Sequence, residues 1–261
     1  MSVDFSLERC TRCGQCVRDC VCGIIALGAD GAPCIGEEAA KHCVHCGHCL
    51  AVCPAGAVSL DGVAPEQCRP TDTGISPDMG KQALRALLLE RRAVRQYSGT
   101  SVPPALLEQA LGYANYAPTA HNNREVAYIV LNGRDKVESL LVATVALMES
   151  HGLFPAHVAN VKQGCDTLFR GAPCLVLLHA PERVLSEADC ATAAAYLELA
   201  LHGLGLGSCW AGMLIEACVH GLPDGIVLPQ GRKLYAALMV GERNVSYPRI
   251  PSRTPPTVFW R

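Results

Sequence analysis

Apolar residues are grouped differently in the two ends of this chain. From about residue 81 onward they form long patterned runs. Leu84, Leu87 and Leu88 recur at helical spacing in KQALRALLLERRAV (81–94), and PPALLEQALGYANY (103–116) opens on prolines suited to a first helical turn. VAYIVL (126–131) is a continuous apolar run of strand length, a helix is predicted over 134–149, and CLVLLHA (174–180) reads as a second strand. EADCATAAAYLELALHGLG (187–205) predicts an alanine-rich helix ending at glycine, and LYAALMVG (234–241) a last strand. GLGLGS (203–208) follows a helix and lacks the G-x-G-x-x-G order, so it reads as a helix cap and tight turn. Loose alternation of helices and strands predicts an α+β or α/β domain.

The first sixty residues have no such runs. Their only strand-like pieces are GIIAL (23–27) and GAVSL (56–60), and these are the ends of two copies of one unit. Cys10, Cys13, Gly14, Cys16, Cys20, Gly23 and Leu27 recur as Cys43, Cys46, Gly47, Cys49, Cys53, Gly56 and Leu60, each displaced by 33 residues. Two copies of so small a unit predict a compact module with pseudo-twofold symmetry. Residues 61–80 hold three prolines and three glycines with no apolar period, which predicts a linker.

Composition narrows the function. The chain has 261 residues, half of them hydrophobic, and a formal net charge of −2. No basic run is interleaved with aromatics, which argues against nucleic acid and anionic membrane as partners. The start lacks the basic-then-apolar order of a signal peptide, and the uncharged stretch Leu199–Ile215 is broken by Gly203, Gly205, Gly207 and Gly212 and is too short to span a bilayer. The expectation is a soluble cytoplasmic protein that meets a small molecule or another protein.

Of sixteen cysteines, eleven lie in the first 68 residues. In a cytosolic protein such density points to metal before disulfides. Structural zinc asks for two close ligand pairs separated by a longer loop. The run C-x2-C-x2-C-x3-C is instead the one that holds [4Fe–4S] clusters, its fourth cysteine serving the other cluster of a pair. Residues 1–62 resemble bacterial two-cluster ferredoxins. The resemblance implies one cluster on Cys10, Cys13, Cys16 and Cys53 and another on Cys43, Cys46, Cys49 and Cys20. The proline that follows the fourth cysteine in that family is present as Pro54, while Val21 and then Cys22 follow Cys20. Spacing favours Cys20 over Cys22 as ligand. Cys22 and Cys34 read as small core residues or spare thiols, and His42, His45 and His48 as solvated residues or hydrogen-bond donors near the sulfurs.

Arg91, Arg92 and Arg95 gather in ERRAVRQY (90–97), and Arg249 and Arg253 in YPRIPSR (247–253). Alone, the first group is as well explained by a solvated helix end. Two arginine groups distant in sequence can also converge on one phosphate, which arginine grips with two donors at once. The blocks RRAVRQY, YAPTAHNNREV, LFRGAPCLVLL, GLGLGSCWAGML and YPRIPSRTPPTVFW, in that order, resemble the nitroreductase family of FMN-dependent flavoproteins over about residues 80–261.

The resemblance implies an α+β sandwich that forms a homodimer with FMN at the interface. It puts Arg91, Arg92, Ala93 and Arg95 at the flavin phosphate and ribityl chain, with Ala93 replacing the usual serine and offering only its backbone. It puts Pro118, Thr119, Ala120 and Asn122 along the ring edge, contributed across the dimer. Cys209, Trp210, Ala211 and Gly212 would lie beside the ring, where a backbone N–H reaches N5, and Arg249, with Arg253, would meet the phosphate. Arg124-Glu125-Val126 stands where the family has Gln-Pro-Trp, which alters the pocket wall. His121, Phe154 and His157 are candidates for that pocket, the last two because HGLFPAH (151–157) interrupts a helical pattern.

The expected organisation is therefore a two-[4Fe–4S] ferredoxin module (1–62), a linker (63–79) and a nitroreductase-like FMN domain (80–261). With the chemistry on FMN, no side chain is expected as acid, base or nucleophile. The expected activity is reduction of a nitro, quinone or other conjugated small molecule, with electrons entering from a low-potential donor such as ferredoxin. The alternative is an electron-relay or redox-sensing module acting on a protein partner, and a third expectation is an enzyme that alters the flavin itself.

Overall fold

The structure is a computed structural model and describes residues 2–71 and 74–261. It divides into two compact units, the first running to Ile75 and including His121–Asn123, the second comprising Ser76–Ala120 and Arg124–Arg261. Asp72 and Thr73, within the expected linker, lie outside the described residues.

The first unit is built from short pieces. β1 (Val3–Phe5) pairs antiparallel with β4 (Val58–Leu60), and β2 (Ala26–Leu27) with β3 (Pro33–Cys34). Three single-turn helices lie between them: α1 (Gln15–Arg18), α2 (Glu37–Ala40) and α3 (His48–Ala51). The sequence repeat recurs in the backbone. α1 and α3 are displaced by the same 33 residues, and so are left-handed residues at Arg12 and His45, Gly14 and Gly47, and Gly23 and Gly56. Gly14 and Gly47 serve as N-caps at φ 69° and 75°, a region where a side chain is strained. The core is small: Cys16, Ile25, Cys49 and Val58. The expected linker carries a 3-10 turn at Pro65–Gln67, and Arg9 reaches over to Glu66 at 2.5 Å.

The second unit is a four-stranded antiparallel sheet in the order β5-β6-β8-β7, with helices on both faces. Its strands are β5 (Ala127–Asn132), β6 (Cys174–Pro181), β7 (Leu206–Trp210) and β8 (Arg232–Glu242). On one face pack α5 (Pro104–Ala114) and α8 (Ser186–Gly203), and on the other α6 (Arg134–Ser150), α7 (Pro155–Lys162) and α9 (Gly212–Ala217). Cys174, Val176 and Leu178 of β6 face the first layer, and Leu175 and Leu177 the second. Coverage on both faces explains why this strand reads as an unbroken apolar run. The register of β6 against β8 shifts after Leu178, which pairs with Ala236 while His179 pairs with Leu234. The skipped residue is Tyr235, so Tyr235 and Ala236 turn to the same core.

Two sequence expectations are corrected. GLGLGS is a helix cap and turn only through Gly205: its second half opens β7, because Leu206–Trp210 pairs along Leu238–Glu242 of β8. The first helix does not run through 81–94: α4 (Pro77–Arg85) begins earlier, at an N-cap where Ser76 Oγ accepts from Met79, and closes with a wide turn over Ala86–Glu90. Arg91–Arg95 then leave the helix, since Val94 is drawn to the edge of β7. No helix among the described residues is long and apolar enough to cross a membrane.

Candidate functional site

In the second unit, the edge of β7 gathers several of the residues singled out by sequence. Val94 donates its backbone N–H to Ser208 O at 2.9 Å, and Ala93 forms a parallel bridge with Ser208. Gly207 is needed for this approach: a Cβ there would stand 2.8 Å from Val94 Cβ and 2.7 Å from Arg243 Cγ. The Ala93 carbonyl accepts from Arg95 Nη1 at 3.3 Å and from the Tyr247 hydroxyl at 3.4 Å, so the segment after β8 also reaches this edge. Tyr97 donates to Val94 O and is buried deeply enough to raise its phenol well above its ordinary value.

Behind this edge lies Glu198 of α8, 8% exposed. One carboxylate oxygen accepts from Arg91 Nη1 at 3.2 Å and, more weakly, from Ser208 Oγ at 3.5 Å; the other accepts from the Trp210 indole N–H at 3.1 Å. The next residue in β7, Cys209, is buried, which raises its thiol pKa, and it feels Arg95, Arg170 and Arg91 against the single carboxylate of Glu198. Three guanidinium groups with one carboxylate leave a surplus of positive charge, which suits an anion. Arg170 itself is exposed and left-handed at φ 56°. Its loop is held by Asp166, whose carboxylate accepts from the backbone of Leu168, Phe169 and Gly171.

Other expected residues lie apart from this group or have other partners. Arg92 turns back and donates to the carbonyls of Leu89 and Arg91. Arg249 and Arg253 stand in the exposed run after β8. Ala211 commits its N–H to Ala237 O at 2.8 Å, which leaves Gly212, at the first turn of α9, to present a backbone donor. Trp210 is 39% exposed. The turn at Pro118–Ala120 is fastened to α8 by Ala120 N–H to Asp189 at 2.9 Å, and Thr119 Oγ1 accepts from Arg124 N. Glu125 pairs with Arg183, and its carbonyl accepts from Arg232. The Phe154 and His157 rings meet edge-on at 6.4 Å, and His157 also contacts Thr167 at 2.9 Å; His121 is exposed.

Within the first unit, Asn122 donates its side-chain amide to the carbonyls of Val44 and His45, both at 3.0 Å, inside the Cys43–Cys46 loop. Two cavities divide the cysteines. Cys10, Cys13, Cys16 and Cys53 border one, and Cys20, Cys22, Cys43, Cys46 and Cys49 border the other. Burial pushes the Cys49 thiol up to about 11, with Cys46, Cys43 and Cys20 close enough to add to the shift. Cys16 is raised by burial too, with smaller contributions from Cys53 and Cys10. Cys13, at the surface, is lowered by the Gln15 backbone N–H. Backbone N–H groups of Arg12 and Ala57 point at the sulfurs of Cys10 and Cys53 at 3.4 and 3.2 Å. His45 Nδ1 pairs with Asp61 at 2.7 Å. Among the described residues no three His, Cys, Asp or Glu side chains converge closely enough to hold a single metal ion.

Sequence reasoning missed Glu198, Ser208, Tyr97, Tyr247 and Arg170. A signal existed for the first: Glu198 is the one Asp, Glu, Lys or Arg between Asp189 and Glu216, in a helix otherwise fit for burial. An isolated carboxylate there calls for partners.

A sequence profile of the nitroreductase family matches residues 88–242. A relative from Methanothermobacter thermautotrophicus (strain Delta H), named as an NADH dehydrogenase/NAD(P)H nitroreductase, is 26% identical over 159 residues, 60% of this chain and 75% of its own. The fold is similar to that of a nitroreductase with bound FMN from Desulfitobacterium hafniense, at a TM-score of 0.58 and 20% identity, over 69% of this chain and 98% of the other. An FMN-bound nitroreductase from Bacteroides fragilis gives a TM-score of 0.55 at 20% identity, over 69% and 98% of the two chains. The FMN-dependent nitroreductase NfnB from Mycobacterium smegmatis, in complex with NADPH, gives 0.52 at 22% identity over 69% and 99%. With the profile spanning more than half of its length, and with the β7 edge formed from residues inside that span, the chain belongs to the nitroreductase family.

Proposed function

We propose that the protein is an FMN-dependent oxidoreductase that takes electrons through two [4Fe–4S] clusters and reduces a nitro, quinone or other conjugated acceptor. The observation that carries the flavin half is the meeting of Arg91, Arg95, Glu198 and Trp210 along the β7 edge. Its surplus of guanidinium groups suits the phosphate of FMN, and the half-exposed indole offers a face for the ring. Arg91, Ala93 and Arg95 would hold the phosphate and ribityl chain, Cys209, Trp210 and Gly212 would border the ring, and Arg249 would reach the phosphate from the segment that Tyr247 ties to Ala93.

The iron–sulfur half is supported by the two cavities: one gathers Cys10, Cys13 and Cys16 of the first copy with Cys53 of the second, and the other gathers Cys43, Cys46 and Cys49 with Cys20 and Cys22 of the first. Cys10, Cys13, Cys16 and Cys53 would hold one cluster, and Cys43, Cys46, Cys49 and Cys20 the other. A cubane spreads its four thiolates more widely than a single ion does, which is compatible with the lack of a single-ion site among the described residues. Bound FMN would supply two-electron transfer to the acceptor and the clusters one-electron transfer. In this reading residues 1–62 form the iron–sulfur module, 63–79 the linker and 80–261 the flavin domain, and two copies of the chain form a dimer.

The experiment is an anaerobic visible spectrum of the purified protein, with reduced ferredoxin in one cuvette and NADH or NADPH in another. Bleaching of the flavin band by ferredoxin and not by nicotinamide is the expected result. Bleaching by nicotinamide alone overturns the cluster route, and the names of the relatives make that arm necessary. Turnover of a nitro compound or quinone then separates an enzyme from an electron relay, which would pass electrons only to a protein.

A further inference from the structure

Glu198 is buried on α8, yet its partners come from three other places in the chain: Arg91 after α4, and Ser208 and Trp210 in β7. A buried carboxylate is costly unless its oxygens are engaged, and here both are. We infer that Glu198 is a positioning residue that sets the two ends of the flavin site together, the Arg91 guanidinium with one oxygen and the Trp210 indole plane with the other. The inference rests on the flavin reading and adds a residue that need not touch the flavin.

The chemistry of the side chain makes the role specific. Arg91 and Trp210 are both donors, so the group between them must accept on both sides. A carboxylate does so. An amide does not, because one of its two ends is a donor and would face a donor. Glu198→Gln therefore keeps size and loses one of the two anchors. Charge alone predicts the opposite effect on binding: removing a negative group beside Arg91 would strengthen the hold on a phosphate.

The test is an FMN titration of native protein, E198Q, W210F and the double variant, with the visible flavin spectrum of each. The expected result is that E198Q raises the FMN Kd about tenfold and displaces the flavin band, since a hydrogen bond to a charged group is lost and its partner stranded. In the W210F background the indole donor is gone and the Gln oxygen is free for Arg91, so the same substitution should raise Kd less than about threefold. An unchanged or tighter Kd in E198Q, or an equal effect in both backgrounds, overturns the inference. If the native protein binds no FMN, the flavin reading fails and the inference falls with it; if native protein binds and the variants match it, the inference alone fails. Should E198Q not fold, E198D serves: it retains charge and both oxygens one methylene short, and an FMN Kd no higher than native overturns the inference.

Discussion

Val94 and Ser208 lie 114 positions apart in the sequence, and in the fold the N–H of Val94 meets the carbonyl of Ser208 at 2.9 Å. This single bond turns Arg91–Arg95 from the end of a helix into an added edge of the sheet. It depends on Gly207, where a Cβ would press on Val94 and Arg243. Gly207→Ala is expected to destabilise the fold by about 1–3 kcal/mol, the range for overpacking, and to weaken FMN binding. Gly212→Ala, with nothing within 4 Å of its Cβ position, is expected to change stability by less than about 0.5 kcal/mol. Denaturant unfolding of both variants checks the pair, and equal losses would contradict the packing argument.

The cysteines divide between two cavities, and in the second Cys22 stands beside Cys20. C16S and C49S each remove a buried thiol from a different cavity, and each is expected to lower iron from about eight to about four atoms per chain. C22S is expected to leave iron at about eight, because spacing assigns the fourth position to Cys20. Iron analysis of anaerobically purified protein decides it, and a loss in C22S equal to that in C49S would reassign the ligand.

Arg95 and Arg170 both act on Cys209 in β7. R95Q is expected to raise the FMN Kd about tenfold and R170Q about threefold, as removal of charge-assisted contacts to a phosphate would. Added salt should narrow both differences through screening. Titrations at low and high ionic strength measure this, and an R170Q curve that superimposes on native would remove Arg170 from the site.

His179 is held neutral in the fold: burial, then the Arg232 charge, lower its pKa, and its Nδ1 accepts from Arg232 Nε at 2.7 Å. In the unfolded chain it titrates near 6.5 and takes up its proton first. Stability is therefore full above that value and falls as pH drops through it towards the depressed folded value. His202, lowered chiefly by burial, acts in the same direction. Denaturant melts across this range should show the decline, and H179Q should make it shallower. An equal slope in H179Q would place the proton uptake elsewhere.

Legibility in the sequence followed the range of the interactions. CLVLLHA was readable as a strand because two covered faces impose a continuous apolar run on β6, and the 33-residue repeat was readable because turns at Gly14 and Gly47 are fixed within a few residues. Leu206–Trp210 was not, since a short glycine-rich run becomes a strand only through its partner β8. Nor was the bonding of the Asn122 amide to the carbonyls of Val44 and His45, a contact no local pattern encodes.

By itself the sequence determined the repeat of the cysteines, the division between a cysteine-dense end and an apolar one, and the helices and central strands of the latter. These depend on spacing, burial period and turn chemistry, which act over a few residues. Tertiary structure alone decided that Arg91, Ser208 and Trp210 share one carboxylate and that Asn122 donates into the Cys43–Cys46 loop. Those groupings depend on hydrogen bonds and packing between segments far apart in the chain, and they exist only once the sheet and the repeat have closed.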